Sequence, residues 1–156
     1  MRSFQLIGLE SGQFEHLFDL TDPELEARNI RRLRADAEFG FPCRICLEDA
    51  RSGDELLLLP FQHQPAPGPY QASGPIFVRR GSRTRRMPPG EVPPYVSRRL
   101  LSLRAYDAGD SIIAAEVVEG TEAKKHLIAL FANPAIRYVH LHNARRGCFS
   151  CTALPM

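Results

Sequence analysis

Apolar residues recur mostly at strand spacing along this chain. Residues 4–9 alternate weakly and predict an opening strand, and residues 30–35 alternate apolar and charged positions, as a short edge strand does. Residues 55–61 contain a continuous apolar stretch between turn residues, which is typical of a buried central strand. Residues 136–142 and 148–154 are predicted to be the last two strands.

Two segments carry helix signals. Thr21 is followed three residues later by Glu24, which is the capping-box pattern, and Pro23 suits the first turn of a helix. We expect this helix to end near Asn29. Thr121 is predicted to cap a second helix, because apolar residues follow it at helical spacing. These apolar residues are Ala123, Leu127, Leu130 and Phe131.

Turn residues separate these elements and decide the fold class. Residues 62–75 hold four prolines and two glycines and predict an ordered, functional loop, and residues 79–94 predict a second irregular stretch. Residues 100–106 and 112–118 flank a four-residue turn, which predicts a β-hairpin. Because strands outnumber helices and turns join most of them, residues 1–156 are predicted to form a single α+β domain. We expect a mostly antiparallel sheet, two main helices and long Pro-rich loops.

Composition narrows the classes of partner. The 156 residues have ordinary globular proportions of hydrophobic (44%) and charged (24%) side chains, and a net charge of +2 selects neither nucleic acid nor membrane. The arginines of residues 79–86 lack the interleaved aromatic residues that stack on bases, so nucleic-acid binding is not expected. No apolar segment is long enough to cross a membrane, and residues 1–10 lack a signal-peptide pattern. We therefore expect a cytoplasmic protein.

All four cysteines lie in two Cys-x-x-Cys pairs, Cys43 with Cys46 and Cys148 with Cys151. Four thiolates can hold a structural zinc ion, the only cofactor that we expect. Unligated buried thiols are an equally favoured alternative, and redox exchange is a third. A reducing cytoplasm disfavours permanent disulfides. We predict that the two pairs, far apart in the sequence, meet in space.

His140 and His142 lie two residues apart on a predicted strand, so both side chains share one face with Tyr138. Two imidazoles on one face can bind a metal or act as a general base for a nucleophilic Cys148 or Cys43. A polar sheet face with hydrogen-bonded histidines is the alternative that we favour.

Arginines flank both cysteine pairs. Arg44 follows Cys43, and Arg145 lies just before Cys148. If the pairs are neighbours, these planar guanidinium groups can hold an anion with two hydrogen bonds each. Solvated loop arginines are the alternative that we favour.

Three motifs are distinctive. They are FPCRICLEDA at residues 41–50, PYQASGPIFV at residues 69–78 and YVHLHNARRGC at residues 138–148. In these motifs the chain resembles the bacterial domain-of-unknown-function family 1203, over nearly its whole length. The family has no assigned activity, so the resemblance implies a single bacterial domain and no mechanism. It implies that Cys43 and Cys148 are regular features of the family, and that other residues replace Cys46 and Cys151 in some similar sequences.

The resemblance further implies that these motifs line one pocket. We expect a binding or accessory module, in which a cysteine cluster lies beside a His/Arg-lined pocket for a small anionic ligand. The predicted ligand-binding residues are Arg44, Tyr70, Ser73, His140, His142 and Arg145. The alternative is a thiol redox protein or a Cys/His-dependent enzyme with Cys148, His140 and His142 as catalytic candidates.

Overall fold

Ten strands form two five-stranded sheets in the computed structural model, which describes residues 2–156. In chain order they are β1 (Phe4–Ile7), β2 (Arg31–Arg34), β3 (Pro42–Cys43), β4 (Glu48–Asp49), β5 (Glu55–Gln64), β6 (Ala72–Arg79), β7 (Leu100–Tyr106), β8 (Ile112–Glu119), β9 (Tyr138–Asn143) and β10 (Phe149–Pro155). The terminal sheet, so called because it holds β1 and β10, has the order β1-β10-β9-β7-β8 and is antiparallel throughout. The central sheet has the order β2-β5-β6-β3-β4, and only its β3–β6 pair is parallel. The α+β class with a mostly antiparallel arrangement is confirmed.

Three short α-helices accompany the sheets. They are α1 (Asp22–Glu26), α2 (Pro94–Ser97) and α3 (Ala123–Phe131). Within residues 2–156 no helix has the length and apolar character needed to cross a bilayer. The prediction of two main helices missed α2, a single turn that follows two consecutive prolines.

Helix caps were predicted correctly in one case and wrongly in the other. At α1 the Glu24 N–H donates to the Thr21 hydroxyl at 3.3 Å, and the Thr21 N–H donates to the Glu24 carboxylate at 2.8 Å. Thr121 does not cap α3, because it lies inside a 3-10 turn, Gly120–Glu122, that leads into the helix. Gly120, the first residue of that turn, packs tightly against the backbone of α2, since a Cβ there would lie 2.2 Å from the Val96 carbonyl oxygen.

The predicted loop at residues 62–75 is wrong at both ends, and only residues 65–71 form a loop. β5 continues to Gln64 and β6 begins at Ala72, so the two strands form one long hairpin with Pro60 opposite Pro75. Prolines are tolerated there because the neighbouring β2 and β3 are short and end before reaching them. The extension of β5 places His63 on a strand.

Each sheet has its own hydrophobic core. α3 covers one face of the terminal sheet, where Leu127 and Phe131 pack with Leu103 and Leu141. The 3-10 turns near the N-terminus cover the central sheet, and Phe14 is buried there among the apolar side chains of β5 and β6. The opposite face of β9 is therefore free to meet the end of β5.

The backbones of the two sheets touch directly at Gly8. The chain leaves β1 against the turn after β3, and the Leu9 N–H donates to the Arg44 carbonyl at 2.8 Å. A Cβ on Gly8 would lie 2.0 Å from the carbonyl oxygen of Ile45. Only glycine allows this approach.

Replacing Gly8 with alanine is expected to lower the free energy of unfolding by about 2 kcal/mol, because overpacking such a contact costs roughly 1–3 kcal/mol. Urea denaturation of the purified protein measures the change. Gly12→Ala is the matched control, since an added Cβ there meets nothing within 4 Å. An equal effect of both substitutions would contradict the tight contact.

Candidate functional site

The face of β9 that turns away from α3 carries polar and aromatic side chains. His140 and His142 share this face with Tyr138, as predicted, whereas Leu141 points into the core. Arg104 of β7 lies directly opposite His140 in the register. The histidines of β9 and Arg104 thus lie on neighbouring strands of the terminal sheet.

A third histidine reaches this face from the central sheet. The ring centroid of His63 lies 4.9 Å from that of His142 and 6.3 Å from that of His140, and the latter two are 6.4 Å apart. Phe149 of β10 stacks on His63 with centroids 5.6 Å apart and an interplanar angle of 7°. We call His63, His140 and His142 the histidine cluster.

Most ring nitrogens of the histidine cluster have no hydrogen-bond partner. His142 Nδ1 donates to the Gly147 carbonyl at 3.0 Å, because a carbonyl oxygen can only accept. His142 Nε2, His140 Nδ1 and both ring nitrogens of His63 are buried and unpartnered among residues 2–156. A buried polar atom without a partner costs about 1–3 kcal/mol, so such a group needs an explanation.

The histidine cluster is neutral near pH 7. Burial is the largest cause, and it lowers the pKa of His140 to about 3 and that of His142 to about 4. Burial also lowers the pKa of His63. The positive charge of Arg104 adds to the lowering of the pKa at all three rings. Neutral imidazoles each offer one lone pair and one N–H group.

Tyrosines line the edge of the histidine cluster. The Tyr138 hydroxyl donates to Asp110 Oδ1 at 2.6 Å and accepts from Gln64 Nε2 at 2.9 Å. Burial and then the Asp110 hydrogen bond raise the pKa of Tyr138 to about 12. Tyr106 stacks on Tyr138 with centroids 4.9 Å apart, and Tyr70 meets the Tyr106 ring edge-on at 6.3 Å. This network fixes the end of β5 against β9.

Arg44 connects the two sheets by joining the turn after β3 to the start of β10. Its side chain is only 1% exposed. The guanidinium donates to the Pro42 carbonyl and the Phe149 carbonyl, both at 2.7 Å, and to the Cys148 sulfur at 3.0 Å. The segments that hold the two cysteine pairs therefore meet, as predicted, and an arginine makes the contact.

The four cysteines lie in different surroundings. Cys43 and Cys46 belong to the core of the central sheet, and Cys151 belongs to the core beneath the terminal sheet. Cys148 is half-buried, and all four are free thiols. No three His, Cys, Asp or Glu side chains among residues 2–156 are arranged as a metal-binding group. The zinc site stays a prediction.

The predicted ligand-binding residues are only partly brought together. The rings of His140 and His142 lie near each other. Tyr70 contacts the Tyr106 ring, which in turn contacts His140. Ser73 is exposed and lines a separate cleft of about 400 Å³ beside β2. Arg145 is exposed on the turn between β9 and β10.

The Cys/His enzyme alternative also stays a prediction. The Cys148 sulfur accepts from Arg44, and among the described residues no hydrogen bond joins it to His140 or His142. The histidines face His63 and Phe149 instead.

The sequence analysis did not predict two residues of the site. His63 lies in the stretch predicted as a loop. Extending the predicted strand beyond Phe61 would have placed His63 on one face of it. On β7, Leu101, Leu103 and Ala105 are buried and mark the core face, so the intervening Arg104 points to the other face. This alternation in the sequence could have predicted its position.

A family model with the description "Protein of unknown function (DUF1203)" matches residues 40–153. No curated protein and no solved structure matches the chain. Both cysteine pairs and the whole histidine cluster lie inside the matched residues.

Arg44→Met is expected to lower the free energy of unfolding by about 3 kcal/mol, because it leaves two buried carbonyls without their donors. Denaturant unfolding measures this change. The exposed Arg145→Met is the control and should shift stability by less than about 0.5 kcal/mol. Similar values for the two variants would contradict a structural role for the buried guanidinium.

Stability is expected to fall on acidification below about pH 6.5. The unfolded chain takes up protons at its histidines near that pH, whereas the folded histidine cluster, with depressed pKa values, does not. The free energy of unfolding is therefore highest above about pH 6.5 and falls progressively toward the folded pKa values of about 3 for His140 and about 4 for His142, with a slope of up to about 1.4 kcal/mol per pH unit for each histidine.

Urea denaturation at a series of pH values from 7 to 5 measures this slope. His140→Leu with His142→Leu should flatten it, and His16→Gln, at an exposed position, should leave it unchanged. A slope that the double variant does not alter would show that other groups cause the acid sensitivity.

Proposed function

The chain belongs to the family described as protein of unknown function (DUF1203), whose description names no activity, and from the site itself we propose a binding module for a small oxyanion. The ligand contacts the histidine cluster and Arg104, and it carries an O–H group as well as its negative charge. The observation that carries this proposal is the unpartnered Nε2 of His142 on the face of β9 where the cationic Arg104 lies opposite His140.

His142 requires a ligand that donates a hydrogen bond. Its Nδ1–H is committed to the Gly147 carbonyl, so Nε2 of the neutral ring holds a lone pair. A fully deprotonated anion would face that lone pair with another lone pair and be repelled. An O–H group satisfies it.

Arg104 supplies the attraction for negative charge. Its positive charge acts on all three histidine rings, and within residues 2–156 it forms no salt bridge of its own. A guanidinium pairs with planar or tetrahedral oxyanions through two parallel hydrogen bonds. The remaining unpartnered nitrogens, on His63 and His140, offer further donors or acceptors by choice of tautomer.

Dihydrogen phosphate and hydrogencarbonate combine both features, and so do small hydroxy acids. Because the histidines stay neutral, Arg104 is the cationic side chain on this face, and the buried Arg44 adds a second positive charge that acts on His142. That arrangement favours ions with a low negative charge and a retained proton over dianions such as sulfate. Selectivity between these ions is the property that defines the proposed function.

Isothermal titration at pH 7 with inorganic phosphate and with sulfate tests the proposal. The two ions are similar in size, but only phosphate retains an O–H group, and we expect it to bind at least about tenfold more tightly, which equals about 1.4 kcal/mol. Glycolate against acetate gives a second matched pair. Equal affinity for both members of both pairs would contradict the role of His142.

Arg104→Met is expected to weaken the tighter ion at least about tenfold, because the charged hydrogen bonds are lost. Arg145→Met, at an exposed arginine outside the cluster, is the matched control. Titration with Zn²⁺ completes the test. Stoichiometric zinc that is lost in His142→Leu, with no oxyanion binding to the wild type, would replace this function with metal binding.

A further inference from the structure

The pair Cys43 and Cys46 forms a second site, in the turn that follows β3. The Leu47 N–H donates to the Cys43 carbonyl at 3.1 Å, and Leu47 takes a left-handed backbone with a φ of 55°. This tight turn spans both residues of the Cys-x-x-Cys spacing. Two thiols at that spacing can share one proton.

Arg79 supplies donors near the Cys43 sulfur. Its backbone N–H donates to the sulfur at 3.3 Å. The Ser82 oxygen lies 3.4 Å from the sulfur, and the Ser82 hydroxyl donates to the Arg79 carbonyl at 2.7 Å. The guanidinium of Arg79 places a positive charge near both thiols. These contacts stabilise a negative sulfur.

The pKa values of the two thiols therefore shift in opposite directions. The hydrogen bond from Cys46 is the largest cause that lowers the pKa of Cys43, to about 5, with Ser82 and the backbone N–H groups adding to it. The same shared proton, together with burial, raises the pKa of Cys46. Cys43 is thus the thiolate and Cys46 the proton-bearing partner.

Access to this pair is restricted by size. Cys43 is fully buried and Cys46 is 7% exposed. A cavity of about 240 Å³ lies nearby, lined by Ile45, Arg79 and Ser82 but by neither cysteine. Burial of the sulfur disfavours a bulky disulfide reagent more strongly than a small molecule such as hydrogen peroxide.

We propose that Cys43 and Cys46 form a peroxide-responsive dithiol, reached through this cavity. The Cys43 thiolate attacks one oxygen of a hydroperoxide, so that an S–O bond forms, the O–O bond breaks and the leaving hydroxide or alkoxide takes up a proton. Cys43 is then a sulfenic acid. The Cys46 sulfur attacks it, an S–S bond forms, the S–O bond breaks, and the hydroxide leaves as water with the Cys46 proton. For hydrogen peroxide, two thiols become one disulfide and two waters are released.

The other two thiols serve as internal comparisons. Burial raises the pKa of Cys151 to about 12, and this residue lies in the core beneath the terminal sheet. Cys148 is half-buried and more accessible, with the Arg44 guanidinium at its sulfur. A reaction governed by exposure would select Cys148. A reaction governed by the donors and the shared proton selects Cys43.

The test treats the fully reduced wild-type protein with one equivalent of hydrogen peroxide, followed by intact mass and peptide mapping. We expect the loss of two hydrogens and a peptide linked through Cys43 and Cys46. An aromatic disulfide reagent should instead modify Cys148 first. Peroxide oxidation confined to Cys148, a link that involves Cys151, or no loss of thiols would each overturn the proposal, and none of these readings requires a variant.

Variants then assign the two roles. Cys46→Ser, or Cys46→Ala if the first folds poorly, should gain a single oxygen at Cys43 and form no disulfide. Cys43→Ser should abolish peroxide consumption at Cys46, and Cys148→Ser should leave the Cys43–Cys46 link unchanged. A disulfide that persists in Cys43→Ser would overturn the assignment. Oxyanion titration is independent of these masses, so failure of either proposal is seen separately.

Discussion

The guanidinium of Arg44 carries a full positive charge at the place where the two sheets meet, and burying such a charge is costly unless its donors are satisfied. Here the carbonyls of Pro42 and Phe149 and the sulfur of Cys148 accept its hydrogen bonds. Each of these acceptors must hold its position for the charge to be tolerated. The turn after β3 and the start of β10 are therefore tied to one another.

Both proposed sites depend on this tie. On one side, Arg44 holds the backbone of Phe149, whose ring stacks on His63 and packs against His140. On the other side, Arg44 is the residue after Cys43 in the turn that brings the two thiols together. A single buried side chain thus connects the proposed oxyanion site with the proposed dithiol site. Charge at Arg44 also contributes to the lowered pKa of His142.

Local signals carried a large part of the prediction. The Thr21 capping box, the hairpin of β7 and β8 and the common face of His140 and His142 depend on contacts within a few residues. The predictions that failed depend on distant neighbours. β5 continues past Pro60 and β6 includes Pro75 because their flanking strands, β2 and β3, end early. Thr121 loses its capping role because Gly120 packs tightly against the backbone of α2 and the residues that follow it.

By itself, the sequence determined the strand periodicity, the tight spacing of Cys43 and Cys46 and the side of β9 on which the histidines lie, because backbone geometry relates residues two or three positions apart. Tertiary structure alone decided that His63 would complete the cluster and that Arg44 would reach Phe149 and Cys148. It also decided that burial lowers the pKa values of the histidines and that, of the four thiols, Cys43 receives the Arg79 N–H. These properties arise from burial and from charges on other strands, and both depend on how the whole chain packs.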